Sequence, residues 1–225
     1  MFCKHRVLGL ALTAIFAFSV LAQSASASPL TVASGEVHIT GAQEGSGMVF
    51  TAGESGEVKC TTSTSDSTAT AVSGQINEIT GSPTFSGCTA FGSPADVKVN
   101  GCTGTSTTGT SIAAGVVTWG PEQGHQLCPT GKSIEITPTF VGASVCTLFI
   151  GPQTATGGHV VGRNVAGSSP MDITMESAAS GIHYTGSGGI CGNGETHTNA
   201  TLSGNATARC YSNVAHTIQI DCTFS

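Results

Sequence analysis

The feature that most constrains this chain is its set of widely spaced cysteines. One of the nine, Cys3, lies close to the amino terminus, and the other eight are spread over the rest of the sequence. These eight are Cys60, Cys88, Cys102, Cys128, Cys146, Cys191, Cys210 and Cys222. No C-x-x-C pair occurs among them, which disfavours a thioredoxin-like redox site and a zinc ribbon. An even number of cysteines in an exported chain predicts four disulfides.

Residues 1–27 have the pattern of a secretory signal peptide. Lys4 and Arg6 supply a positive start, residues 7–21 form an apolar stretch, and residues 25–27 spell the small-residue cleavage pattern A-S-A. The apolar stretch is shorter than the roughly 20 residues that a membrane-spanning helix needs. The residues near position 225 contain no apolar stretch. We therefore predict a secreted, extracellular chain of residues 28–225 that has no membrane anchor after cleavage of the signal.

The pairing of the eight cysteines is not fixed by their number, because eight cysteines allow 105 arrangements. The entropy of loop closure favours partners that are close in sequence. On this ground we expect bridges between Cys88 and Cys102, Cys128 and Cys146, and Cys210 and Cys222. The two cysteines left over, Cys60 and Cys191, would then form a long-range bridge.

Alternation of polar and apolar residues predicts strands throughout the chain. Such period-2 segments occur at residues 36–40, 96–100, 133–137, 172–176 and 217–221. Residues 115–119 and 145–150 are more continuously apolar, which favours central strands. No window has the 3.6-residue period of a helix. We therefore predict an all-β, antiparallel, disulfide-stabilised β-sandwich-like fold, built as one domain or as two apposed β units that divide near residues 106–111.

Several short segments also resemble a known family. They are GEVKC at 56–60, GCTAFG at 87–92, NGC at 100–102, CPTGK at 128–132, CTLFIGPQ at 146–153 and GIHYT at 181–185. In this order they resemble a family of small secreted bacterial proteins of unknown function, over about residues 35–191. The resemblance implies an exported all-β fold and transfers no catalytic residue. Cys210 and Cys222 lie beyond it and would form an added bridge.

Composition narrows the class of partner. The chain has 7 Lys and Arg against 13 Asp and Glu, a formal charge of −6, and only 9% charged residues. Nucleic-acid binding depends on clustered basic residues, so we expect no nucleic-acid partner. An extracellular protein or a cell-wall glycan remains as the partner, and we predict no cofactor.

Residues with catalytic or metal-binding chemistry do not form a recognised motif. Six histidines follow the signal peptide, and the sequence contains neither a G-x-S-x-G elbow nor an H-E-x-x-H motif. We therefore predict no catalytic residue. Glu195 and His197 would share one face of a strand and are weak candidates for a metal site, although a solvated polar loop is the simpler interpretation. We expect no resident metal.

Two aromatic residues are candidates for ligand contact. Trp119 precedes a Gly-Pro turn, where it could stack on a sugar or pack against a core disulfide, as the tryptophan of immunoglobulin-like sandwiches does. Tyr184 is the second candidate. Together these observations favour a non-enzymatic secreted or surface-associated β protein that binds a protein or glycan partner. A secreted hydrolase acting on glycans or peptides and a secreted inhibitor or toxin-like effector are the alternatives.

Overall fold

The computed structural model describes residues 30–32, 35–53, 56–76, 78–107, 110–113, 116–119 and 124–224. The predicted signal peptide, residues 1–27, lies outside the described residues. Within the described ranges, regular structure includes nineteen strands and a turn of 3₁₀-helix at Gly189–Cys191. No helix in these ranges is long and apolar enough to cross a membrane.

The strands are β1 (Leu30–Thr31), β2 (Gly35–Thr51), β3 (Glu57–Val72), β4 (Gln75–Ile76), β5 (Glu78–Ala90), β6 (Ser93–Lys98), β7 (Thr103–Thr107), β8 (Thr110–Ala113), β9 (Val116–Trp119), β10 (Gly124–Leu127), β11 (Ile134–Phe140), β12 (Ala143–Ser144), β13 (Thr147–Ile150), β14 (Gln153–Thr154), β15 (Gly157–Asn164), β16 (Ile173–Ser187), β17 (Asn193–Tyr211), β18 (Gln219–Ile220) and β19 (Thr223–Phe224). Each predicted alternating segment overlaps one of them. All pairings between these strands are antiparallel, so the predicted antiparallel all-β class is confirmed.

Eight of the strands close into a ring. β16 pairs with β17, β17 with β2, β2 with β3, and β3 with β5. From β5 the hydrogen-bonded path continues through β6, β11 and β13, and β13 pairs back onto β16. In place of two separate sheets, the structure has one sheet that curls until its edges meet. Side chains from opposite walls of this sheet pack against each other, as they do in a sandwich.

The buried side chains form two apolar clusters. The ring core lies inside the closed ring and consists of Phe50, Ala52, Val58, Ala90, Ile136, Cys146, Leu148, Ile150, Ile182, Tyr184, Cys191 and Ala200. The terminal core lies where the short strands at the two ends of the described chain cover the long ones, and it consists of Leu30, Val32, Val37, Ile39, Ala69, Ala71, Ile76, Ile173, Ala208, Cys210, Cys222 and Phe224.

The two cores share their longest strands. β2, β3, β16 and β17 are 15 to 19 residues long, and each supplies buried residues to both clusters. A division of the chain near residues 106–111 would not separate the cores, because each contains residues from both sides of that point. Residues 108 and 109 themselves lie outside the described residues.

All eight cysteines of the described residues are paired in four disulfides. The bridges join Cys60 to Cys88, Cys102 to Cys128, Cys146 to Cys191, and Cys210 to Cys222. The number of bridges and the Cys210–Cys222 pair agree with the prediction. The expected Cys88–Cys102, Cys128–Cys146 and Cys60–Cys191 bridges are wrong.

Strand register explains the observed pairing. Cys60 and Cys88 are direct neighbours across the β3–β5 ladder, with Cα atoms 3.9 Å apart. Thr103 pairs with Leu127 across β7 and β10, so the next position outward brings Cys102 opposite Cys128. The assumption that cysteines close in sequence pair with each other was therefore wrong for these bridges. The ladders bring together cysteines that lie 26 and 28 residues apart.

Candidate ligand-binding groove

A groove of about 520 Å³ runs across the outer face of the neighbouring strands β17, β2, β3 and β5. Register places its floor in rows that cross the strands. One row consists of Thr207, Ala42, Thr64 and Thr84, and the adjacent row contains Arg209, Thr40 and Asp66. Because neighbouring strands lie about 4.8 Å apart, the rows present closely spaced polar groups, interrupted in the first row by Ala42.

The local sequence explains why this face is polar. In β3 the outward positions 64 and 66 carry threonine and aspartate, and both are exposed. Threonine suits an extended backbone, because its branched Cβ packs well on a pleated surface. Behind the floor, Gly41 lies against Ser65, and a Cβ on Gly41 would collide with the hydroxyl of Ser65. Small inward residues at this point allow the strands to approach closely.

Charged groups lie along the floor and at one side. The Nε–H of Arg209 donates to both carboxylate oxygens of Asp172, at 3.1 and 3.2 Å. The side-chain amide of Gln219 donates to the same carboxylate at 2.9 Å, which holds it in place from a second direction. Nε–H is only one of the five N–H donors of an arginine. The positioned guanidinium therefore gives the groove a charged hydrogen-bond donor.

The acidic residues of the groove supply acceptors. Glu44 accepts a hydrogen bond from the hydroxyl of Thr207 on the neighbouring strand. Asp66 is exposed on β3, and one of its oxygens lies 3.5 Å from Nε2 of His216. Carboxylates accept up to four hydrogen bonds each, so both keep capacity for a ligand.

His216 closes one end of the groove from a turn that its own residues hold in shape. Oδ1 of Asn213 accepts the backbone N–H groups of Thr217 and Ile218, at 3.1 and 3.0 Å. Such an Asx-type turn fixes the backbone locally. The Cys210–Cys222 disulfide joins the two sides of the hairpin just outside the turn.

The imidazole of His216 packs on other rings. Its centroid lies 5.1 Å from that of Tyr211 and 6.0 Å from that of His38, which is itself buried. Nε2 of His216 is shielded from solvent and has no hydrogen-bond partner among the described residues, since its contact with Asp66 lacks hydrogen-bond geometry. The end of the groove is therefore formed by an imidazole ring whose Nε2 faces the carboxylate of Asp66 and is shielded from solvent.

The structure places the sequence-predicted candidates elsewhere. Tyr184 is 3% exposed in the ring core, its hydroxyl donates to the carbonyl oxygen of Ala52 at 3.2 Å, and its ring stacks on His197 at 4.9 Å. The backbone of Trp119 pairs with Val160, and its side chain lies outside the described part of the molecule. Tyr184 does not line the groove.

The remaining candidates do not come together. Within the described ranges, no group of three or more His, Cys, Asp or Glu side chains is placed to hold a metal ion, and Glu195 and His197 belong to no such group. His125 accepts or donates a 2.7 Å hydrogen bond with Thr154 across the β10–β14 pair, far in sequence from the groove. Of the six histidines, His216 is the one that lines the groove.

Sequence reasoning missed the groove residues Arg209, Glu44 and Thr64, and also Asp172. Alternation along β3 could have marked Thr64 and Asp66 as outward. It could not show that β2 lies between β3 and β17, since that neighbour relation joins distant parts of the chain. The chain matches no protein-family model, no curated protein and no solved structure.

Proposed function

We propose that this is a non-enzymatic, exported binding protein whose groove on β17, β2, β3 and β5 takes a glycan. The observation that carries the proposal is the lining of the groove, where hydroxyls, two carboxylates and an arginine lie in adjacent rows beside a histidine ring. A sugar presents hydroxyls that both donate and accept, and such a ligand can pair with each of these groups. The volume of about 520 Å³ falls in the range of small-ligand sites.

The chemistry of the groove favours a neutral glycan over a charged partner. Arg209 offsets only one of the two negative charges of Glu44 and Asp66, and its guanidinium is already paired with Asp172. A strongly anionic or cationic ligand would therefore meet like charges in one part of the groove. Hydrogen bonds to neutral hydroxyls involve no such conflict.

Export and family membership form part of the same proposal. The signal-peptide pattern of residues 1–27 and the four disulfides support a secreted protein, since disulfides persist in oxidising compartments. The segments that resemble small secreted bacterial proteins support membership of that family, whose function is unknown. A cell-wall glycan would be the partner that such a protein meets after export.

Binding to insoluble polysaccharides and to neutral oligosaccharides tests the proposal. The secreted protein is incubated with each glycan, and the bound fraction is measured in 50 mM and in 500 mM salt. We expect saturable binding that changes little with salt, because neutral hydrogen-bonding ligands are not screened. Retention that disappears at 500 mM salt would contradict the proposal and indicate a charged partner.

Two substitutions locate the site. Asp66→Asn replaces a charged acceptor on the floor of the groove by a neutral amide, and Thr64→Val removes a hydroxyl. We expect each to weaken glycan binding about tenfold, which corresponds to about 1.4 kcal/mol. Asp96→Asn is the matched control, since Asp96 lies on β6, outside the groove, with its carboxylate 3.6 Å from Lys98. Equal affinities of Asp66→Asn and Asp96→Asn would overturn the assignment of the groove.

A further inference from the structure

We infer a second binding site, inside the ring of strands, for a short hydrocarbon group. A cavity of about 100 Å³ lies within the closed ring. Its wall includes Phe50, Val58, Ile136, Ile150 and Ile182, which are buried members of the ring core on five different ring strands. Rings of about eight strands enclose just enough space for side chains or for one small ligand.

The lining of the cavity selects an apolar occupant. Apart from Gln126, every side chain that lines it ends in carbon or sulfur. A polar molecule would give up its hydrogen bonds with water on entering and would find few replacements. A water molecule needs two to four polar partners to be held in such a space. A hydrocarbon group gives up no hydrogen bonds with water on entering the cavity, and it needs no polar partner there.

Gln126 is the one polar side chain at the cavity, and its amide nitrogen is already used. Nε2 donates to the carbonyl oxygens of Ile150 and Gly151, at 2.9 and 3.0 Å. Both N–H donors of the amide are thereby occupied, which leaves the carbonyl oxygen as the group able to accept a further hydrogen bond. The lining is therefore compatible with an alkyl group that carries a single hydroxyl at one end.

The size of the cavity limits the occupant. An apolar protein cavity of about 150 Å³ accommodates benzene. The cavity in the ring is about two thirds of that volume, which fits an alkyl group of about four carbons. Several lining side chains, among them Met48, Phe85 and Leu202, are only partly buried, so the wall reaches solvent on one side. A longer chain could place its end inside and leave its polar head in water.

The four isoleucines that line the cavity provide a direct readout. The full-length secreted protein is labelled at isoleucine δ1-methyl groups and titrated with 1-pentanol. We expect saturable shifts of Ile134, Ile136, Ile150 and Ile182. The methyl groups of the terminal core, which are those of Ile39, Ile76 and Ile173, should stay in place. Equal shifts in both cores, or none, would overturn the inference.

A second titration separates two sources of the hydrocarbon. Dodecanoate below its micelle concentration carries a chain whose end could enter while the carboxylate stays outside. Binding of dodecanoate at least tenfold tighter than 1-pentanol would identify the end of an acyl chain as the occupant. Equal or weaker binding would identify a free small molecule. Both results support the hydrocarbon site, provided that the same four isoleucines shift.

Filling the cavity tests its position. Leu202→Phe enlarges a side chain in its wall, and we expect 1-pentanol affinity to fall at least tenfold. Ile220→Phe is the matched control, because it adds bulk beside the terminal core and should leave the affinity unchanged. Val97→Phe enlarges a residue in the opposite part of the wall and serves if Leu202→Phe does not fold. If a folded Leu202→Phe or Val97→Phe variant bound 1-pentanol with unchanged affinity, the proposed site would be refuted.

Discussion

The ring core and the terminal core are built on the same four long strands, but the chain closes them in different ways. Around the ring core, every strand has a hydrogen-bonded neighbour on each side, because β13 returns to β16. Over the terminal core, the cover is made of two-residue strands, in which β1 pairs with β4 and with β19 through two residue pairs each. One core is enclosed by continuous ladders and the other by short segments close to the ends of the described chain.

This difference has an energetic consequence. Opening the ring core requires breaking a ladder of a closed set. Even its shortest ladders, β5–β6, β11–β13 and β13–β16, have three residue pairs each and continue into further ladders on both sides. Uncovering the terminal core requires only the release of β1 and β19, whose ladders are short. Native-state opening commonly proceeds through such weakly held segments. We therefore expect the terminal core to open first, and three experiments test this expectation.

The largest effect is expected from removal of disulfides. The Cys146–Cys191 bridge at the ring core closes a loop of 45 residues, and the Cys210–Cys222 bridge at the terminal core closes one of 12. Loop entropy alone predicts losses of about 4 and about 3 kcal/mol in the free energy of unfolding for the paired Cys→Ala variants. Urea unfolding of both double variants measures the difference. A larger loss at Cys210–Cys222 would contradict the loop argument.

Truncation of one leucine in each core gives the next effect. Leu148 and Leu30 are both almost fully buried, and Leu→Ala at such sites costs about 3 kcal/mol. For Leu148→Ala we expect the full cost in global unfolding, because β13 is held in the closed ring by a ladder on each side. For Leu30→Ala we expect faster hydrogen exchange of the amides of β1 and β19, while ring amides keep their protection.

Hydrogen exchange also gives the outcome that would refute this contrast. If Leu148→Ala raised exchange only at a few ring amides, the ring would be opening locally and the ladders would not act as one unit. If Leu30→Ala raised exchange equally in all strands, the terminal strands would not be a separate weak point. Unchanged near-ultraviolet circular dichroism in both variants is the control for an intact fold.

The smallest effect concerns two side-chain amides with the same bonding pattern. Asn164 exchanges two hydrogen bonds with the backbone of Phe224 in β19, at 2.9 and 3.0 Å. Gln153 does the same with His183 in β16, at 2.6 and 2.9 Å. We expect Asn164→Ala to cost about 1.5 kcal/mol and Gln153→Ala about 0.5 kcal/mol. His183 lies at a register shift, but its neighbours Ile182 and Tyr184 are held in the long β16–β17 ladder, whereas β19 has only short ladders. Thermal unfolding of both variants measures the two losses in stability. A larger loss for Gln153→Ala than for Asn164→Ala would contradict the prediction.

Much of the strand content follows from sequence alone, and β3 shows where this stops. Alternation around Asp96, Val97 and Lys98 predicts β6, because the inward residue there is apolar. The middle of β3 has Ser63, Ser65 and Ser67 at its inward positions, and the structure buries Ser63 and Ser67. A strand with serine on its buried face carries no hydrophobic alternation. Its length of 16 residues could not be predicted from that signal.

The groove was beyond prediction for a related reason. Arg209 and Asp172 meet because Ile173 pairs with Ala208, and strand alternation carries no information on which strands become neighbours. The same gap explains the disulfides. Only Cys210 and Cys222 lie at the ends of one local hairpin, and only their pairing was predicted correctly. Register between distant strands is set by the whole fold.

The pairing of β2 with β17 has a consequence for the order of folding. The hydrogen bond between Glu44 and Thr207 joins residues 163 positions apart, near opposite ends of the chain. Contacts of such long range slow folding, because a large loop must close before they form. A ribosome must therefore release almost the whole chain before the ring can be completed. Until then, the amino-terminal strands lack the partner that completes their sheet. The ring therefore stays open until synthesis of the chain is almost finished.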